Sequence, residues 1–122
     1  MAFTIKRSAT RPTYVAQLIQ NVGTPQEGPI PDLDTADDIV FVMRAEGALD
    51  DALPDVAGSM TLLDPVEAIV EYPWVISDTR DTPSDNNQVE VWIIWAPGMI
   101  EILPNDNYKV VTLKPSLNYV PA

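Results

Sequence analysis

Two runs of residues with a repeat of two dominate this chain, and they leave few folds open to it. The first covers residues 39–46 and reads Ile39-Val40-Phe41-Val42-Met43-Arg44-Ala45-Glu46; the second covers residues 88–96. In an extended strand successive side chains point to opposite faces, so in the second run Val89, Val91, Ile93 and Trp95 share one face, and Glu90, Trp92 and Ile94 share the other. Both faces of the first run are apolar. It is therefore expected to be a central strand, with one face on the core and the other at least partly covered. Turn-formers punctuate the runs: Pro31-Asp32-Leu33-Asp34 precedes the first, and Pro97-Gly98 follows the second, predicting a hairpin into residues 99–103.

The remaining segments fit the same scheme. Residues 2–7, 14–20, 57–63, 68–74 and 109–114 each predict a strand, which makes about eight in all. Of the 12 prolines, Pro73 marks the end of one segment and the others fall between segments, where breakers belong. Residues 21–38 form a loop whose end, 34–38, predicts one helical turn capped by Asp34. Residues 46–53 are at most a weak helical turn within a loop, and residues 76–87 read as polar turns. Strand after strand with no long helix between them predicts an all-β sandwich or barrel rather than βαβ units. A chain of 122 residues makes one domain. Its expected division is a sandwich over residues 1–115 and a tail over 116–122.

Absences narrow the chemistry. The chain has no cysteine and no histidine, so it has no disulfides, no thiolate metal sites and none of the common nucleophile–base pairs. No run of about 18 apolar residues predicts a membrane span, and no apolar core follows the charges of Met1-Ala2-Phe3-Thr4-Ile5-Lys6-Arg7 as a signal peptide requires. The formal charge is −11; all 18 acids and four of the seven bases lie from Glu27 onward, leaving −14 there. So acidic a body is ill suited to nucleic acid. The charge either keeps the chain soluble or lets a basic N-terminal strand dock on an acidic neighbour.

Three groups invite functional readings. Asp32, Asp34, Asp37 and Asp38 put four carboxylates within seven residues, a density calcium favours, but the spacing is not that of a calcium loop and reads as a turn with helix-capping acids. The loop Asp78-Thr79-Arg80-Asp81 is treated alike. Paired carboxylates could hydrolyse a glycosidic bond, yet nothing singles out one pair. Trp74, Trp92 and Trp95 could form a platform that stacks on a sugar. Trp95 reads as core and Trp74, at a strand end, as packing; Trp92 is core or contact according to whether its face is exposed.

The order of these features resembles the immunoglobulin-like N-terminal domain of tailed-phage baseplate upper proteins, and the small phage tail or virion proteins that consist of little else. The elements that match are Phe3-Thr4-Ile5-Lys6, the Asp32-Leu33-Asp34 turn before residues 39–44, residues 66–74 ending in Tyr72-Pro73-Trp74, Asp78-Thr79, residues 89–95, and Ile102-Leu103-Pro104-Asn105-Asp106-Asn107-Tyr108. The chain departs from the family in lacking its long C-terminal region and in a longer loop over residues 21–31, which suggests a stand-alone virion component. The resemblance implies a single immunoglobulin-like antiparallel β-sandwich of about seven to eight strands, without cofactor or catalytic residues. It implies a virion structural protein made in the host cytoplasm, an adaptor of tail, baseplate or neck. Its partners would be other virion subunits, including fibres, met in multiple copies around a symmetric assembly. Arg7, Arg11, Tyr14, Trp92, Tyr119 and Val120 are the expected interface residues. A capsid head-decoration protein and a carbohydrate-binding module are the alternatives.

Overall fold

The computed structural model describes residues 3–49, 51–103 and 109–116. The larger sheet contains β1 (Phe3–Lys6), β5 (Asp38–Ala45), β6 (Val56–Ser59), β9 (Asn86–Trp95), β10 (Met99–Leu103) and β11 (Lys109–Lys114). They lie in the order β1-β11-β9-β5-β6, with β10 also on β9. The smaller sheet is β2 (Tyr14–Gln17), β8 (Ile69–Tyr72) and β7 (Thr61–Asp64), in the order β2-β8-β7. A third pair, β3 (Ile19–Gln20) with β4 (Gly28–Pro29), clips the long loop. The three-stranded sheet faces the six-stranded one in a sandwich-like arrangement. The all-β expectation holds, with one correction to "antiparallel": β1 runs parallel to β11, Phe3 opposite Val111 and Lys6 opposite Lys114.

The two alternating runs form the centre of the larger sheet. β5 and β9 pair antiparallel over eight positions, from Asp38 opposite Ile94 to Ala45 opposite Asn87. Their inward residues Ile39, Phe41, Met43, Val89, Val91 and Ile93 are all buried, and Trp95 packs at the edge of the same core. The Ala96-Pro97-Gly98 turn closes the predicted hairpin, with Gly98 at a φ of +73° that a side chain would resist. Beyond Leu103, opposite Val91, pairing with β9 resumes at Lys109, opposite Val89.

Two predicted strands are each divided in two. Residues 14–20 break at Leu18, which turns into the core while its N–H donates to the Ala68 carbonyl and its carbonyl accepts from Ile30. Residues 57–63 break at Met60, whose N–H bonds the Ile39 carbonyl; β6 before it belongs to one sheet and β7 after it to the other. The helical turn near residue 34 covers Leu33–Thr35, earlier than expected. Asp32 stands at its start with φ 62° and no side-chain cap, and Leu33 plugs the core. Residues 76–87 are not all turns, because α1 (Ile76–Arg80) forms a short helix there.

Five aromatic rings fill the space between the sheets. Phe41 stacks on Tyr72 with ring centres 4.4 Å apart and planes within 9°. Tyr14 lies 5.2 Å from Phe41 and 5.3 Å from Phe3, while Trp74 meets Phe41 and Tyr72 edge-on at 5.3 and 5.2 Å. Gly58 of β6 makes this fit possible, because a Cβ there would lie 3.0 Å from the Tyr72 ring. The Tyr72 hydroxyl donates to Asp78 Oδ2 at 2.7 Å, and the same oxygen accepts the Val75 N–H at the start of α1.

Two predictions follow from this packing. Gly58→Val should displace the Tyr72 ring and cost about 1–3 kcal/mol in a urea melt. Burial raises the Tyr72 hydroxyl above its usual pKa of 10.0, with the Asp78 hydrogen bond and charge adding to the effect, and burial raises Tyr14 likewise. The unfolded chain therefore loses these protons first. The stability they contribute should be intact below pH 10 and decline as pH rises above it. Tyr72→Phe should flatten that decline in melts run across the alkaline range.

Candidate docking face

The strand period that buries Phe41 sends its neighbours outward. Asp38, Val40, Val42 and Arg44 of β5 form one row on the outer face of the larger sheet, next to Gln88, Glu90, Trp92 and Ile94 of β9. Val40 stands opposite Trp92, which stands opposite Ile102 of β10, and Asp38 is followed across the sheet by Ile94 and Ile100. The result is an apolar surface of Val40, Val42, Trp92, Ile94, Ile100 and Ile102. All six keep some exposure, and Ile100 is 53% exposed.

The loop after β5, through Ala52 and Pro54, walls one end of this surface. Arg44 holds it in place, its Nη1 donating to the carbonyls of Leu49 and Ala52 at 3.1 and 3.2 Å. Between loop and sheet lies a shallow groove of about 320 Å³, lined by Val42, Arg44, Ala52, Pro54, Gln88, Glu90 and Trp92. Leu49 and Leu53 project from the loop and are mostly exposed. The charged groups on the face each have a hydrogen-bond partner within the chain. Glu90 accepts the Trp92 indole N–H at 3.3 Å, and Asp38 accepts the Ser59 hydroxyl and the Ile39 N–H. Satisfied polar groups lower the cost of covering such a surface.

The predicted interface residues separate. Trp92 stands at the centre of the face, and Arg11 is exposed on the loop before β2. Tyr14 is a correction: as the first residue of β2 it points inward and is only 7% exposed. Arg7 is another. Its guanidinium is bound within its own chain, donating to the Thr82 carbonyl at 2.7 Å, to those of Thr79 and Arg80, and to Asp85 Oδ1 at 2.8 Å. Thr79, fully buried, donates to the Ala9 carbonyl and completes the link between β1 and α1. The basic N-terminal strand thus uses one of its charges internally. Tyr119 and Val120 lie outside the described residues.

The other candidates dissolve as sites. Trp74 is buried in the aromatic cluster, so it forms no sugar platform with Trp92. Asp78 belongs to α1 and holds Tyr72 rather than a metal. Among the described residues no group of three or more acids is placed to hold a metal ion, and no helix is long and apolar enough to cross a membrane. Sequence reading missed Val40, Val42, Ile94, Ile100 and Ile102 as surface residues. The signal was present in the double-sided apolar character of residues 39–44.

Comparison with models of known families and with curated proteins finds no match to this chain.

The Arg7 network should show in a stability measurement. Charge-assisted bonds to a part-buried guanidinium predict that Arg7→Ala costs about 1–3 kcal/mol, against a negligible change for Arg11→Ala, read from denaturant midpoints.

Proposed function

We propose that this chain is a non-enzymatic assembly module that works by burying the outer face of its larger sheet against neighbouring protein subunits. The apolar patch of Val40, Val42, Trp92, Ile94, Ile100 and Ile102 is the observation that carries this reading. Contiguous apolar surface rimmed by polar groups is what soluble domains retain when another molecule covers it. Aromatic anchors at the centre of such a patch supply most of the binding energy, and Trp92 has that position. The setting we propose is the virion of a tailed phage, at tail, baseplate or neck, where the order of strands and turns resembles known adaptor domains. A head-decoration role would use the same face on a capsid lattice.

A sugar-binding role draws on Trp92 beside Gln88 and Glu90 in the groove, but it has lost its second tryptophan to the core. Locating the labelled polypeptide in particles by electron microscopy tests the setting. Ile100→Arg should keep the melting temperature within a few degrees and abolish co-sedimentation with particles. Full incorporation of that variant, or glycan binding that vanishes in Trp92→Ala, would overturn the assembly reading.

A further inference from the structure

We infer that the partner of the outer face is a second copy of this chain, stacked sheet on sheet about a two-fold axis; the inference rests on the docking reading above and specifies its occupant. Charge is the first argument. The chain carries −11, yet on the outward positions of β6, β5, β9 and β10 the charged residues are Asp38, Glu90 and Arg44, one of them opposing the other two. A basic partner would be drawn to the acids elsewhere on the body. The nearly neutral face instead suits a partner that bears the same sign of charge, and another copy is such a partner.

Area is the second argument. With strands about 4.8 Å apart and about 3.3 Å of rise per residue, β5 and β9 paired along Asp38–Arg44, β6 opposite Val40–Met43 and β10 opposite Val91–Trp95 present a plane of roughly 350 Å². Side-chain relief enlarges that plane, and Leu49 and Leu53, 77% and 85% exposed, extend it at the loop. The plane alone is roughly half of the ~800 Å² per partner of a standard interface. Two sheets of one sequence carry the same twist, so they stack aligned, and an isologous contact makes each patch its own complement.

Among the described residues β10 pairs with β9 alone, so its other edge offers a rival geometry. An edge-to-edge pair centred on that strand would set Glu101 against Glu101, a like-charge opposition that weakens strand pairing.

The test is sedimentation velocity on the purified full chain over a concentration series, at low and high salt. The wild type should dimerise, and more tightly at high salt as the repulsion between two acidic bodies is screened. Ile100→Arg and Trp92→Arg should weaken the dimer roughly 30-fold or more. Val15→Arg, on the outside of the smaller sheet, should leave it unchanged. If Trp92→Arg does not fold, Ile100→Arg at the exposed strand carries the test alone. A wild type that stays monomeric, or a dimer indifferent to Ile100→Arg, overturns the self-pairing. A monomer that still loses particle binding on Ile100→Arg overturns self-pairing and keeps the docking function. A dimer that dissociates as expected while particles accept the variant supports self-pairing and removes the docking function.

Discussion

The stacking of Phe41 on Tyr72 is the contact on which this fold depends. One ring belongs to the centre of the larger sheet and the other to the middle strand of the smaller one. Tyr14, Phe3 and Trp74 close around the pair, so five rings from both sheets make one interlocked unit. Without disulfides, this burial has to supply what covalent staples give other small sandwiches. Gly58 yields its side-chain volume to the Tyr72 ring. The hydroxyl at the far end of that ring reaches Asp78 and thereby fixes α1. Arg7 then ties the first strand to the loop that follows α1. Core, helix and chain start are thus links of one series.

That series also explains which parts of the molecule were legible in the sequence. β5, β9, the Pro97-Gly98 hairpin and β11 were predicted nearly to their ends, because a period of two is a local property and these strands keep it. The breaks at Leu18 and Met60 were not visible. Each is made by backbone bonds to distant partners, Ala68 and Ile30 for the first and Ile39 for the second, and no local pattern encodes them. α1 was missed for a similar reason, since its five residues are held here by bonds to Tyr72, Ala9 and Arg7, all distant or outside the helix.

The site was half legible. Trp92 was singled out on its alternation alone, while Tyr14 and Arg7 were assigned to the surface because of residue type. Tyrosine and arginine do dominate interfaces, but the same groups serve as well inside one chain when a partner ring or a row of carbonyls is at hand. The isoleucines and valines of the outer face drew no attention, because an apolar residue in a strand is expected to be core. Only the register, which sets Val40, Trp92 and Ile102 in one line across the sheet, shows that these residues are on the side away from it.

The parallel pairing of β1 with β11 has a mechanical meaning. Phe3 and Lys114 lie at opposite ends of one four-rung pair. Tension applied at Phe3 and Lys114 would draw these strands past each other lengthwise, so all the rungs would bear force together and none could be unzipped in turn.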